Sequence, residues 1–262
     1  MLFRSRNSLK KLIFVFILSA CAAGCQRQNA GFLLLTFDDS SADAWVAEAA
    51  PLLLKNGASA TFYVSQFYKL NEAQRQKIAS LQKMGFEIGY HSTNHLNTQE
   101  YLATNTLDSF WRTQILPDLR LLHRYGIYPK NYAHPFCATT AAADSALRTI
   151  FCTVRHCEFA RPDRPLAQLP IYNLPNTDTL RAAGVDAHYG VSDAQITDAL
   201  TQCAKTGTAL MLYAHNIGSD AKNEWQISPE RLAFILQKAQ ELHITTTSVA
   251  NWQMQTHQRT EP

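Results

Sequence analysis

Short apolar runs recur along the chain at residues 32–37, 59–64, 86–90, 132–135, 151–154, 171–174, 208–214 and 245–248, and segments with helical spacing lie between them. Several of these runs are continuously apolar, as strands buried on both faces of a parallel sheet require. The helical patterns at 42–55, 72–84 and 107–125 are followed by Gly57, Gly85 and Gly126, placed where helices commonly stop. This repetition reads as β-α units. It predicts an α/β fold, a distorted (β/α) barrel of seven or eight parallel strands, with an open doubly wound sheet as the alternative that element order does not exclude. No low-complexity break divides residues 31–255, which are expected to form one domain of about 230 residues.

Residues 1–20 read as an export signal. Arg4, Arg6, Lys10 and Lys11 make a basic start, and 12–20 is an apolar stretch too short to span a bilayer. Leu18-Ser19-Ala20-Cys21 is similar to a bacterial lipoprotein cleavage site. This predicts lipidation at Cys21, a tether at 21–30 and a membrane-anchored lipoprotein facing the periplasm or the cell surface. Cys25 is a second candidate, and plain secretion is the alternative. The leader takes four of the 24 basic residues and none of the 21 acidic ones, so the mature chain has no basic excess. Nucleic acid is therefore not an expected partner. Outside the cytoplasm thiols tend to pair, and one disulfide is expected among Cys137, Cys152, Cys157 and Cys203, with Cys152 and Cys157 close enough in sequence to bridge a strand-end turn. No C-x-x-C occurs, which argues against a zinc ribbon.

The first apolar run closes in Asp38-Asp39, and the third is followed by His91-Ser92-Thr93-Asn94-His95. One carboxylate and two imidazoles can hold a divalent cation and leave a position for water, while the spare carboxylate acts as a base. Successive side chains of a strand point to opposite sides, so the chain must begin to turn at the aspartates if both are to serve one site. Helix capping before residue 42 by Asp39 or Ser40 accounts for one carboxylate, not both. His91 and His95, four apart, share a face on a helical turn. The glutamate of the helical zinc-protease motif is missing after His91. His215 ends another apolar run, so all these residues lie at carboxyl ends of strands, where barrels carry their active sites.

Thr36-Phe37-Asp38-Asp39, His91 to His95, Tyr132-Ala133-His134-Pro135-Phe136 and Leu212-Tyr213-Ala214-His215 stand in the order found in the polysaccharide deacetylases, carbohydrate esterases with a NodB-type domain. The mature chain resembles that family over essentially its whole length. The resemblance implies metal-dependent removal of acetyl groups from an N-acetylated polysaccharide, whether exopolysaccharide, peptidoglycan or chitin-like. Asp39, His91 and His95 would hold the divalent metal, Zn2+ or else Co2+ or Ni2+. Asp38 would be the general base, His215 the general acid and the Phe136 backbone N–H an oxyanion donor, with the Pro135 segment as a groove wall.

The sequence departs from the family pattern in two places. Ala133 stands where an arginine commonly ties down the catalytic aspartate, leaving His134, counted with Pro135 among the substrate-binding residues, as either its replacement or a wall residue with no chemical role. The acidic, tryptophan-bearing motif that tunes the histidine is not evident; Asp186 is the nearest candidate by order and reads as a loop-turn residue. These departures motivate the alternative of a catalytically inactive carbohydrate-binding lipoprotein. Tyr189 and Trp225, in polar loops flanking the His215 run, are candidates for stacking on sugar. Trp45 and Trp111 read as packing residues, and His123, His156, His188, His243 and His257 as surface or packing residues.

Overall fold

The computed structural model describes residues 31–220 and 222–257; the leader, the tether, Cys21 and Cys25 lie outside the described residues. Seven parallel strands close into a barrel: β1 (Phe32–Asp39), β2 (Thr61–Val64), β3 (Glu87–Tyr90), β4 (Asn131–Ala133), β5 (Thr153–Glu158), β7 (Thr179–Gly184) and β8 (Ala209–Ala214). Closure comes from β8 pairing back onto β1, with Phe32 opposite Ala209 and Phe37 opposite Ala214. Two short strands distort the amino-terminal end. β6 (Tyr172–Asn173) runs antiparallel to the start of β8, and β11 (Thr245–Thr247) lies parallel to the start of β1. β9 (Asn216–Ile217) and β10 (Gln226–Ile227) form a separate pair.

Side-chain alternation divides the core. Leu33, Leu35 and Phe37 of β1 pack outward with Trp45, Leu53, Ile235 and Leu236, while Phe32 and Leu34 point inward with Tyr63, Leu180, Ala182, Met211 and Tyr213. Each fully buried Leu or Phe contributes about 1.5–3 kcal/mol. Val249 and Trp252 of the helix Val249–His257 plug the amino-terminal end of the barrel. The carboxylate of Glu87, pushed upward by burial, accepts from Thr61 Oγ1, Asn131 Nδ2 and the Ala250 N–H, fastening that plug to three strands. The same alternation sends Thr36, Asp38 and Arg155 to the axis at the carboxyl end. The barrel is thus apolar at one end and polar at the other. Among the described residues no helix is long and apolar enough to cross a membrane.

Two expectations require correction. The run at 171–174 is not a barrel strand; β7 takes that place, reading Thr179-Leu180-Arg181-Ala182-Ala183-Gly184. Alanine and glycine are poor strand formers, but the Tyr189 ring lies where a Gly184 Cβ would be, so only glycine fits. The disulfide joins Cys137 to Cys157, leaving Cys152 exposed and Cys203 buried as free thiols. Cys152 and Cys157 cannot meet, because five steps along near-extended chain hold them about 16 Å apart.

Gly89 lies against the fully buried Tyr63 ring, and a Cβ there would overlap it. Gly89→Ala should destabilise the protein by about 1–3 kcal/mol in denaturant unfolding; an unchanged midpoint would contradict this packing.

Candidate active site

β1 ends by turning. Asp38 follows the alternation and points into the barrel, 2% exposed, whereas Asp39 has φ 83° and carries its carboxylate to the rim. The turn expected at this pair is present. β3 runs directly into His91, but the His91–His95 segment is a loop and not the helical turn read from the spacing: Ser92 and His95 have φ 73° and 53°. Left-handed backbone at such residues costs about 1–3 kcal/mol each and needs support. That support comes from the 107–124 helical segment, where Gln114 O accepts the Thr93 N–H (2.7 Å), Ile115 O the Tyr90 hydroxyl (2.7 Å) and Thr113 O the Asn94 side chain (3.0 Å). Thr113 O is the carbonyl that residue 117 would bond in a regular helix, and Pro117 has no N–H to offer.

The two imidazoles and Asp39 converge. Asp39 Oδ1 lies 3.1 Å from His95 Nε2 and 3.7 Å from His91 Nε2, and is buried without a hydrogen bond. His91 Nδ1 donates to Ala133 O at 2.8 Å, which leaves its Nε2 as a lone pair facing the aspartate. Burial pushes His91 down to about 4, so it is neutral near pH 7. Burial opposes the charge on Asp39, but the imidazoles facing it hold its carboxyl below the ordinary range. A carboxylate and two imidazoles whose donor atoms converge are what a divalent cation requires, and Asp39, His91 and His95 fit one.

Asp38 is paired with Arg155 on β5, whose guanidinium bonds it bidentately at 2.8 and 2.5 Å and also reaches Thr36 Oγ1. Burial works to raise the Asp38 carboxyl, and the guanidinium overrides it, leaving the carboxyl below its usual value. The rings of Tyr63 and Tyr213 flank the guanidinium at 5.2 and 4.7 Å. The arginine missing at Ala133 is therefore supplied by the next strand, at the residue paired with Ala133 in register. His134 does not replace it. It lies at the cavity wall, but its side chain is fully buried, with Nε2 2.8 Å from Asp144.

Asp186 is not a loop-turn residue with nothing to do. It follows β7, is fully buried, and its Oδ2 lies 2.5 Å from His215 Nδ1, with Oδ1 accepting the His215 N–H. Burial works to lower the His215 pKa, and the Asp186 carboxylate reverses it, leaving the imidazole above its ordinary value. Trp45, fully buried as expected, also donates from Nε1 to His215 O at 2.8 Å.

These groups open on one cavity of about 540 Å³. One wall is Pro135-Phe136-Cys137, in which Phe136 is 63% exposed, has φ 55° and lies 4.7 Å from the His95 ring. Trp225 is exposed and stacks on His188, which also pairs with Glu224, so His188 belongs to the groove wall. Tyr189 is half-buried, its hydroxyl accepting from Tyr213, and is less open than its loop position suggested. Phe159, just beyond β5, is an exposed lining residue absent from the sequence expectations. Arg155 did leave a sequence signal, since a charge continuing an apolar run demands a buried partner.

The family model for polysaccharide deacetylase matches residues 26–144. The match spans Asp38, Asp39, His91, His95 and the Pro135 turn and ends before Arg155, Asp186 and His215. No curated protein matches the sequence. Among solved structures, a family 4 carbohydrate esterase from Streptomyces lividans, in complex with acetate, is similar at 16% identity over 82% of this chain and 91% of that one, with a TM-score of 0.55. Peptidoglycan deacetylase PdaC from Bacillus subtilis is similar at 15% identity over 87% and 93%, TM-score 0.56. A CE4 family pseudoenzyme from Bacillus anthracis is similar at 12% identity over 84% and 64%, also 0.56. These likenesses show a shared fold.

Removing one partner of a buried ion pair strands the other charge, whereas removing both need not be costly. Arg155→Met should therefore destabilise the protein by about 3–5 kcal/mol, and Asp38→Asn with Arg155→Met should recover most of that loss. Urea unfolding of both variants decides it; a double variant no more stable than the single one would count against the pairing.

Proposed function

We propose that this protein is a metal-dependent hydrolase that removes N-acetyl groups from an amino-sugar polymer outside the cytoplasm. One observation carries the reading: a carboxylate bonded bidentately by Arg155 and an imidazole bonded by the Asp186 carboxylate, which raises its pKa, open on the same cavity as the Asp39, His91 and His95 donors. A divalent ion on those donors, zinc being the simplest choice for an Asp-His-His set, supplies Lewis acidity and an acidified water. Asp38, oriented by Arg155, takes the proton of the water that attacks the acetamide carbon. The Phe136 N–H faces the developing oxyanion. His215, with Nδ1 engaged by Asp186, offers Nε2–H to the departing nitrogen; the C–N bond breaks to leave acetate and an amine.

The exposed rings of Phe136, Phe159 and Trp225 suit sugar faces. Among the described residues the one cationic side chain lining the cavity other than histidine, Arg155, is already paired with Asp38, which favours an uncharged glycan over an anionic one. The leader reading places the enzyme outside the cytoplasm, anchored through Cys21, and the Cys137–Cys157 disulfide suits that compartment. Intact mass of the mature amino terminus tests the anchor.

Acetate release from N-acetylglucosamine polymers of several linkages should require added metal. Asp39→Ala should lose metal and activity together, while Asp38→Asn should keep metal and lose at least about a hundredfold in kcat, the lower end of what a general base contributes. Metal bound and glycan affinity retained with no release from any polymer would favour the binding lipoprotein instead.

The pH profile tests the acid. His215 must be protonated to act, so activity should fall as pH rises through its pKa, which Asp186 raises. Asp186→Asn should move that basic limb to lower pH. A limb that stays in place would remove His215 from the role.

A further inference from the structure

A second cluster of donor side chains lies beside the cavity: His134 at the end of β4, His156 on β5 and Asp144 on the helix Ala141–Leu147. Its geometry differs from that of the Asp39 set. Asp144 Oδ1 lies 2.8 Å from His134 Nε2 and Oδ2 lies 2.9 Å from His156 Nε2, hydrogen-bond distances with every partner satisfied, and Thr139 Oγ1 donates to the same carboxylate. The Asp39 set has an orphaned oxygen and wider spacing. The second cluster is therefore a hydrogen-bonded bridge. What it bridges is the base of the Pro135-Phe136-Cys137 turn and β5.

The same two segments are joined a second time. Arg155 and Cys157 project toward the barrel axis and His156 toward the helices, so the Cys137–Cys157 disulfide closes the inner face while Asp144 closes the outer one. Between the two clasps, Phe136 and Cys137 are consecutive non-glycine residues at φ 55° and 58°. Two left-handed residues in succession do not persist without external restraint. The backbone bonds of the turn are two: Cys137 N–H to His134 O at 3.2 Å and Ala138 N–H to Pro135 O at 3.1 Å.

We propose that Asp144 and the Cys137–Cys157 disulfide are positioning residues that lock the Phe136 turn to the strand carrying Arg155, so that oxyanion donor and base-holding arginine form one rigid unit whose inner clasp is opened by reduction. This rests on the deacetylase reading for its consequence in turnover, though not for the mobility of the turn. Both cysteines are half-buried and Cys137 lines the cavity, which opens the bond to a small dithiol. The dithiol gives up two electrons and two protons and becomes a cyclic disulfide; the Cys137–Cys157 bond breaks to two thiols. An unclasped turn presents its N–H for only part of the time, and kcat falls by that fraction.

The test uses full-length, metal-loaded protein in which the free, exposed Cys152 is replaced by serine, so that reduction reports on the disulfide. Three forms are compared: oxidised, dithiol-reduced, and reduced then reoxidised, with Asp144→Asn as a fourth sample that leaves the disulfide intact. The expected result of reduction is about tenfold faster amide exchange across residues 136–138 and a kcat lower by about tenfold, set by the fraction of time the turn is competent. KM should stay within about twofold, bound metal should be unchanged, and reoxidation should restore kcat. Asp144→Asn should speed the same amides with the metal retained. Unchanged exchange, unchanged kcat on reduction, or metal lost with the disulfide would each overturn the proposal. Faster exchange in a protein whose oxidised form releases no acetate supports the clasp and refutes the deacetylase reading.

Discussion

A full charge pair inside a barrel mouth is the constraint around which the remaining structure is arranged. Asp38 and Arg155 are 2% and 0% exposed, and desolvating two ions costs several kcal/mol each unless they meet in good geometry and their remaining bonds are filled. Bidentate pairing, Thr36 and the flanking Tyr63 and Tyr213 rings meet most of that requirement. Small residues are needed where those rings lie: Gly89 against Tyr63, and Gly184 against the Tyr189 that bonds Tyr213. A lone Asp38 in the same place would escape its burial by taking up a proton, and a protonated carboxyl is no base.

Opposite protonation states coexist within one cavity because each titrating group has its own partner. Arg155 lowers the Asp38 pKa, while Asp186 raises that of His215. His91 is neutral by burial and by donating Nδ1–H to Ala133 O. The strain lies at the rim, in the positive φ angles of Asp39, Ser92, His95, Phe136 and Cys137. Each of these backbone turns delivers a side chain or an amide that regular strand geometry would point elsewhere.

Strand and helix succession was legible, since periodicity and glycine stops are local. The exception was β7, whose Ala182, Ala183 and Gly184 carry little strand signal because their size answers to Tyr189. The metal-type donors and their order were legible too, though His91 and His95 share a site through left-handed loop backbone and not through helical spacing. Arg155 and Asp186 were missed as site residues, and the His134 side chain, read as substrate-binding, is buried against Asp144.

By itself the sequence determined a chain of alternating strands and helices, with metal-ligating and proton-transferring side chains at strand ends, because residue type and spacing are properties of neighbours. Only the tertiary structure decided which of those ends meet. Arg155 reaches Asp38 across 117 residues, Trp45 reaches His215 across 170, and Cys137 chooses Cys157 over a thiol nearer in sequence to that partner. Strand order and register set these contacts, and both follow from packing the whole barrel at once.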